Sequence, residues 1–309
     1  MIIGDDTMKI IPLHKDFGAE IRGVSLLDVV CLSQIHRKVR AAFEEYSVLV
    51  FRDQDISDDT QATFARGFGS LERTKVGSGG SGTIYSRMNN IGPNGNVVAP
   101  TDRAMLIARA NQMWHTDSSF KALPAVASVL SARIIPNDGG GTEFVSMRAA
   151  WAALQEQRKS AVRNLEVIHS YATSRDKVDP RMMGADERAA LPPVQWRITW
   201  RNPVNGKHAL YLASHAAGIA GMTDVEAQQL IDELMDHSTQ PERRYVHVWH
   251  PGDVVMWDNR ATMHRGQPWK GDQPRSIVRV TITAEESDGI ASVRPRQART
   301  VPELKAQPH

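Results

Sequence analysis

The sequence has a single cysteine, Cys31, among its 309 residues. One thiol can form neither an internal disulfide framework nor a zinc site built from several thiolates, and it suits a reducing compartment. No apolar run approaches the length of a bilayer span, and no signal-peptide pattern opens the sequence. We therefore expect a cytoplasmic protein that does not associate with a membrane.

The sequence also lacks an excess of charge of one sign, since 37 basic residues face 35 acidic ones. Its basic residues are dispersed, whereas a nucleic-acid-binding surface needs them clustered. No Gly-x-Gly-x-x-Gly pattern follows a strand and opens a helix, which argues against a doubly wound dinucleotide-binding sheet. With 41% hydrophobic and 23% charged residues, the composition is that of an ordinary globular enzyme without a nucleic-acid partner.

Short strand-like runs separated by Gly and Pro dominate the sequence, with helices grouped early and between strands. Strands are predicted at 48–51, 128–135, 167–169, 196–200, 245–249, 254–257 and 277–282. Helices are predicted at 27–45, from Ser57 onward, at 146–164, and at 224–236 behind a capping box of Thr223 and Glu226. This pattern predicts a mainly β fold, a sandwich or barrel with appended helices.

The domain organisation is predicted to be simple. Residues 1–286 form one domain, and the Pro- and Arg-bearing segment 287–309 forms a poorly ordered C-terminal tail. Residues 76–98 are rich in Gly, Ser and Asn, which favours a mobile loop. Because this stretch approaches the first candidate ligand, we expect a lid over the active site near 76–110.

The most specific motif is a His-x-Asp pair, His115 and Asp117, with a single distal histidine, His264. Two residues apart on an extended segment, His115 and Asp117 project to the same side. Two imidazoles and one carboxylate are the facial ligand set of non-haem Fe(II) oxygenases, which leaves positions open for a 2-oxo acid and O₂. The alternative is a hydrogen-bonded surface pair, because an isolated His-x-Asp is common.

Two arginines follow the distal histidine. Strand periodicity places Arg275, Ile277 and Arg279 on one face, with the two arginines about 13 Å apart at roughly 3.3 Å per residue. Two arginines on one face are costly to bury without anions. We expect Arg275 to bind the distal carboxylate of 2-oxoglutarate and Arg279 to bind a second anion, the substrate; Arg279 could instead form a salt bridge at the end of the barrel.

Several stretches together resemble the taurine dioxygenase family of Fe(II)/2-oxoglutarate enzymes. They are 111–120 (NQMWHTDSSF), 140–144 (GGTEF), 257–260 (WDNR) with His264, 47–52 (SVLVFR), 64–69 (FARGFG) and 147–150 (MRAA). Within the family, the likeness is greatest to the enzymes that oxidise 2,4-dichlorophenoxyacetate, and it extends over about residues 10–285. The Gly-Ser stretch at 77–82 departs from these relatives and leaves the size and shape of the substrate open.

The resemblance implies a double-stranded β-helix, a cupin-like jelly roll with flanking helices. It implies that His115, Asp117 and His264 bind Fe(II), and that Thr142 and Arg275 bind the cosubstrate 2-oxoglutarate. It further implies that Arg279 binds the anionic group of the prime substrate. The implied reaction consumes O₂ and hydroxylates an aryloxyalkanoate beside its ether oxygen, which yields a phenol, a 2-oxo acid such as glyoxylate, succinate and CO₂.

Two further residues are candidates for the substrate side. Asn111 could line the substrate pocket or simply cap a turn, and Lys75 could approach an anionic substrate or remain solvated. Other functions stay open: the same chemistry on an alkylsulfonate or another small carboxylate, and a non-catalytic barrel that senses or carries 2-oxoglutarate. We expect a small anionic aromatic substrate and a homo-oligomer.

Overall fold

The core of the fold is built from β-strands, which form four sheets. The computed structural model describes residues 8–74 and 82–295. Within these ranges, no helix is long and apolar enough to cross a membrane.

The largest sheet has seven strands, most of which the β-branched runs of the sequence predict. In spatial order they are β1 (Lys9–Pro12), β2 (Ala19–Arg22), β3 (Val48–Phe51), β13 (Val254–Asp258), β5 (Ala125–Ile134), β15 (Ser276–Thr283) and β4 (Tyr85–Asn89). All neighbouring pairs are antiparallel except β2 and β3.

A smaller sheet faces the large one. Its order is β12 (Arg244–His247), β6 (Thr142–Ser146) and β14 (Thr262–Gly266), all antiparallel. Five short strands form two peripheral sheets: β11 (Ala216–Ile219), β7 (Glu166–His169) and β8 (Val194–Arg197) in one, and β10 (His208–Leu210) with β9 (Thr199–Arg201) in the other. Every predicted strand is therefore present, and the stretch 196–200 is divided between β8 and β9.

Side chains that point inward from alternate strand positions fill the space between the seven-stranded sheet and the sheet of β12, β6 and β14. Phe144 of β6 meets Trp257 of β13 with their rings 5.5 Å apart and edge to face. The inward side chains of the large sheet complete this cluster: Val48, Val50, Leu130, Ala132, Val255 and Ile277. The opposite faces of the same strands carry Leu49, Phe51, Val129, Met256 and Ile282, which pack under helices. Both faces are buried, so the sandwich is covered on this side.

The helices surround the sheets. They are α1 (Leu26–Cys31), α2 (Ser33–Tyr46), α3 (Asp58–Arg66), α4 (Arg103–Ala110), α5 (Met147–Ala153), α6 (Glu156–Val162), α7 (Tyr171–Asp176), α8 (Ala185–Ala190), α9 (Asp224–Ser238) and α10 (Ile290–Val293). Short 3₁₀ turns span Pro180–Met182, Pro241–Arg243 and Glu286–Asp288. The predicted capping residues are confirmed: Ser57 caps α3, and Thr223 with Glu226 forms the capping box of α9.

Two predicted helices are each divided in the structure. The predicted helix 27–45 is broken at Leu32, whose extended backbone separates α1 from α2. The predicted helix 146–164 is broken after α5, where Leu154 and Gln155 are both extended. The apolar spacing continues across each break, so periodicity alone does not indicate it.

The predicted lid and tail differ from the structure in part. The stretch predicted as a loop contains β4, which pairs along the edge of β15, and the lid region also contains α4. Residues 75–81, including Lys75, lie outside the described residues, and mobility of the lid stays a prediction. At the predicted start of the tail, α10 places Ile290 and Val293 in the core, because the chain turns back over β9.

A buried ion-pair cluster fixes the hairpin that joins β13 to β14. Arg260 donates to both oxygens of Asp258 at 2.9 Å and to Glu44 of α2 at 2.8 Å. Removing one partner from such a buried cluster leaves an uncompensated charge, which costs about 3–5 kcal/mol. The cluster therefore holds the strand that carries His264 against α2.

Candidate metal centre and active site

His115, Asp117 and His264 meet at the open end of the two sheets. His115 and His264 pair as an isolated antiparallel bridge, in which each backbone N–H donates to the other carbonyl at 2.8–2.9 Å. One ligand atom from each of the three side chains lies within 4.8 Å of the others, and all three side chains are buried. The structure thus brings together residues that are distant in sequence, as predicted.

Both imidazoles present a nitrogen lone pair. His115 Nδ1 lies 2.8 Å from the carbonyl of Met113, which can only accept, so Nδ1 carries the proton and Nε2 is free to bind a cation. Burial lowers the pKa of His115 and lowers that of His264 further, which keeps both rings neutral. His264 Nε2 lies 3.8 Å from Asp117 Oδ2.

Two neighbours contact the Asp117 carboxylate, and a third holds the backbone of this residue. Ser128 Oγ donates to Oδ2 at 2.6 Å, Arg279 Nη1 donates to Oδ1, and the backbone N–H of Asp117 donates to the side chain of Asn259 at 3.1 Å. Burial alone raises the pKa of Asp117, but the charge of Arg279 and the hydrogen bond from Ser128 hold this pKa well below its usual range. The carboxylate is therefore ionised and fixed in direction.

The donor set fits one divalent transition-metal ion. Ligand atoms that bind a single ion at about 2.0–2.2 Å lie no more than about 4.4 Å apart, so this cluster needs only a small contraction to hold one. Two neutral imidazoles and one carboxylate cancel one of the two positive charges. A metal held in this way retains open positions and a net charge that attracts further anionic ligands.

Arg275, four residues before Arg279, has no counter-ion in the described part of the chain. Its Nη2 donates to the carbonyl of Gly140 at 3.1 Å, but Nε has no partner, and no carboxylate in the described part of the chain pairs with it. Burial lowers its pKa to about 10, so the guanidinium stays charged at neutral pH. A half-buried cation without a counter-ion fits the distal carboxylate of a bound dicarboxylate.

The backbone near Arg275 leaves room for its side chain and is hydrogen-bonded to its neighbours. Gly140 has φ +69°, and a Cβ there would lie 3.2 Å from Arg275 Nε, so glycine is required. Asn90 Oδ1 accepts from the Arg275 N–H at 2.7 Å. Thr142 begins β6 two residues after Gly140, is buried, and accepts from Trp249 Nε1 at 3.0 Å. Arg275 therefore contacts the loop that leads to Thr142, and the joint role of these two residues in binding a carboxylate stays a prediction.

Arg279 lies on the same inward face of β15 as Ile277, in accordance with the predicted alternation. Its guanidinium reaches the metal ligand Asp117, whereas Arg275 precedes the strand and reaches Gly140. The two arginines thus contact different groups, the carboxylate of Asp117 and the carbonyl of Gly140.

Asn111 occupies the C-cap of α4, where its carbonyl accepts from the Gly266 N–H at 2.9 Å. This agrees with the capping interpretation, and the substrate role of Asn111 stays a prediction.

The sequence does not reveal an aromatic wall beside the triad, formed by Phe120, Tyr171 and His215. The His215 ring lies 6.3 Å from that of His115 and 4.8 Å from that of Phe120, and Phe120 lies 4.5 Å from Tyr171. The only sequence signal of His215 is a polar residue in an otherwise apolar run, which favours a structural histidine. Its place at the triad depends on a connection between β10 and β11.

Comparisons with known proteins agree with this geometry. Residues 9–281 match the family described as "Taurine catabolism dioxygenase TauD, TfdA family". The chain is 36% identical over 275 residues to an alpha-ketoglutarate-dependent 2,4-dichlorophenoxyacetate dioxygenase of Cupriavidus pinatubonensis (strain JMP 134), covering 87% of this chain and 96% of that protein. It is 35% identical over 290 residues to an (S)-phenoxypropionate/alpha-ketoglutarate-dioxygenase of Sphingobium herbicidovorans, covering 91% and 97%.

A solved structure gives the same result at the level of the fold. The crystal structure of AAD-2 in complex with Mn(II) and N-oxalylglycine matches with a TM-score of 0.83 and 38% identity, over 91% of this chain and 100% of that one. The predicted jelly-roll core with flanking helices is thereby confirmed. From its sequence match, its fold and its His-Asp-His centre, the chain belongs to the TauD, TfdA family of dioxygenases.

Proposed function

We propose that the chain uses Fe(II), 2-oxoglutarate and O₂ to hydroxylate an aryloxyalkanoate at the carbon beside its ether oxygen. One observation carries the proposal: a buried His-Asp-His triad is contacted by Arg279, and Arg275, four residues before it, is a half-buried cation whose charge no described carboxylate compensates. The triad suits Fe(II), and the orphaned cation suits the far carboxylate of 2-oxoglutarate.

His115, Asp117 and His264 would hold the metal. When bound there, Fe(II) with 2-oxoglutarate and O₂ supplies the oxidation that converts a C–H bond into C–OH, with succinate and CO₂ as coproducts. The protein supplies orientation and charge matching. Neutral imidazoles and an ionised carboxylate are already present, so no proton has to leave the ligands when the metal binds.

Arg275 would receive the distal carboxylate of 2-oxoglutarate, and the hydroxyl of Thr142 would donate to the same group. A guanidinium binds a carboxylate through two parallel N–H donors, and the unpartnered Nε of Arg275 offers one of them. Gly140 accepts from this guanidinium and Asn90 accepts from the backbone N–H of Arg275, so both the side chain and the backbone of this residue are held in place.

Arg279 would bind the carboxylate of the prime substrate beside Asp117. This contact places the adjacent carbon, which bears the ether oxygen, close to the metal ligands. Hydroxylation of that carbon gives a hemiacetal, which separates into a phenol and a 2-oxo acid, glyoxylate in the case of an aryloxyacetate. Burial of the centre excludes water from the reacting groups.

The substrate class rests on the relatives whose names specify 2,4-dichlorophenoxyacetate and phenoxypropionate. The second candidate is the same chemistry on an alkylsulfonate. We test both by substrate-stimulated succinate release with a panel of aryloxyacetates, both enantiomers of an aryloxypropionate, and taurine. We expect an aryloxyalkanoate to give the largest stimulation; a larger one with taurine would overturn the proposed substrate class.

Replacing Arg279 with Gln should separate the two anion sites. We expect the KM for the aryloxy acid to rise while the KM for the cosubstrate stays nearly constant, and 2-oxoglutarate decarboxylation to become poorly coupled to phenol release. Steady-state kinetics at saturating Fe(II) check this, because Arg279 also contacts Asp117. The two-anion account fails if Arg279→Gln and Arg275→Gln both raise the same KM and spare the other.

Ser128→Ala should weaken metal binding, because it removes the hydroxyl that orients Asp117. Losing such a neighbour of a ligand typically costs about 10–100-fold in metal affinity, and we expect the lower end. A matched control is Ser131→Ala on the same strand, whose hydroxyl faces Gln61 on the opposite side. Titration with Fe(II) or Co(II) measures the effect; equal affinities in the two variants would contradict it.

Several further properties stay predictions. They are the substrate contacts of Asn111 and Lys75, the mobile lid, the homo-oligomer and the cytoplasmic location. A non-catalytic 2-oxoglutarate-binding barrel is disfavoured by Arg279, since a sensor has no need for a second anion site next to a complete metal-ligand set. Absence of O₂ consumption with every substrate of the panel would instead favour the non-catalytic 2-oxoglutarate-binding barrel.

A further inference from the structure

A further arginine, Arg175 of α7, is buried near the triad. It is only 7% exposed, its Nε has no hydrogen-bond partner, and within residues 8–74 and 82–295 no carboxylate pairs with it. The acidic residues near it in sequence are already occupied, since Asp176 pairs with Arg188 and Asp179 with Arg181. A buried cation without a partner is costly, so a counter-ion from outside the chain would stabilise it.

The neighbours of Arg175 connect it to the triad through aromatic rings. Its guanidinium carbon lies 4.3 Å from the centre of the Tyr171 ring, which belongs to the aromatic wall. Tyr171 lies 6.1 Å from His215, and His215 lies 6.3 Å from His115.

The three arginines of the centre differ in how their charges are compensated. Arg279 is paired with Asp117, so an anion that binds it also meets the charge of that carboxylate. Arg275 donates to Gly140, and the ring that its guanidinium covers is Trp269, which is not part of the aromatic wall. Arg175 alone combines burial, a place beside the wall and a charge without a described carboxylate partner.

We propose that Arg175 binds the anionic group of the prime substrate together with Arg279, and supplies most of the charge attraction for it. The aromatic wall of Phe120, Tyr171 and His215 then packs against the aryl ring of the same molecule. This inference rests on the proposed function, because it names a further specificity-determining residue of that site. Arg279 orients the anion next to Asp117, and Arg175 makes the pocket favour a charged ligand over a neutral one of the same shape.

The test compares a charged ligand with its neutral isostere. Binding of phenoxyacetate and of phenoxyacetamide is measured by calorimetry without O₂, in protein loaded with Mn(II) and 2-oxoglutarate. For Arg175→Gln, we expect phenoxyacetate to bind about 10- to 100-fold more weakly, since one partner of a desolvated pair is lost. Binding of phenoxyacetamide and of the cosubstrate should stay nearly unchanged, and Arg175→Lys should recover part of the loss.

Arg181→Gln is the matched control, because Arg181 is exposed and pairs with Asp179 in the following 3₁₀ turn. Equal weakening of phenoxyacetate and phenoxyacetamide would overturn the proposal, since it would assign Arg175 a purely structural role under Tyr171. Unchanged binding of both would overturn it as well.

The proposed function can fail separately. If the wild-type protein binds phenoxyacetate but releases no phenol, the proposed function is wrong. The ratio of the affinities for phenoxyacetate and phenoxyacetamide in the Arg175 variants still decides the role of Arg175. If the wild-type protein binds neither phenoxyacetate nor 2-phenoxyethanesulfonate, the inference about Arg175 is overturned.

Discussion

His264→Ala and Asp117→Ala should each abolish turnover. Each variant removes one of three ligands, and changes to the neighbours of such ligands already cost about 10–100-fold. We therefore expect succinate release to fall by more than about 100-fold even with added Fe(II). The structure offers no replacement ligand, because no other His, Cys, Asp or Glu of the described residues joins this cluster.

The measurement is succinate formation at saturating Fe(II) and cosubstrate, together with thermal unfolding to verify that the variants fold. His250→Ala is the matched histidine control, since His250 is exposed on the far loop before β13. Near-normal activity in either ligand variant would show that the assignment of the triad is wrong.

Arg275→Gln should raise the KM for the cosubstrate, 2-oxoglutarate, by about 30-fold or more. Truncating one partner of a desolvated charge pair costs about 2–5 kcal/mol, and every 1.4 kcal/mol is a factor of about ten. Burial is the only cause of the lowered pKa of Arg275, and no acidic side chain of the described residues opposes it. The distal carboxylate of the cosubstrate is therefore the expected counter-ion of Arg275, and losing that pair should weaken binding strongly.

A shorter 2-oxo acid without the distal carboxylate provides the control for this variant. Such a compound should already be a poor cosubstrate for the wild-type protein, and Arg275→Gln should weaken it little further. An equal penalty for the long and the short 2-oxo acid would show that Arg275 does not bind the distal carboxylate.

The parts of the fold that sequence predicts are those with a local cause. Short apolar runs rich in β-branched residues predict β3, β13 and β15, and capping chemistry predicts the starts of α3 and α9. The strand β4 escapes prediction because its sequence, Tyr-Ser-Arg-Met-Asn, has neither alternation nor β-branched residues; it is a strand because the edge of β15 offers hydrogen bonds to it.

The candidate site divides in the same way. The spacing of His115 and Asp117 defines a shared direction within one segment, so the ligand motif is visible in the sequence. The contact of Arg279 with Asp117 joins residues that are 162 positions apart, and only the pairing of β15 with β5 creates it. Arg175 escapes prediction because it lies on a short helix with no motif of its own, and its role depends on the lack of a described carboxylate partner.

The most direct test of the account is the stoichiometry of phenol to succinate in the wild-type protein, with an aryloxyacetate, Fe(II), 2-oxoglutarate and O₂. We predict one phenol for each succinate, because a substrate held by Arg279 and Arg175 presents the carbon beside its ether oxygen to the metal centre. Succinate release without phenol at every aryloxyacetate tested would contradict the account.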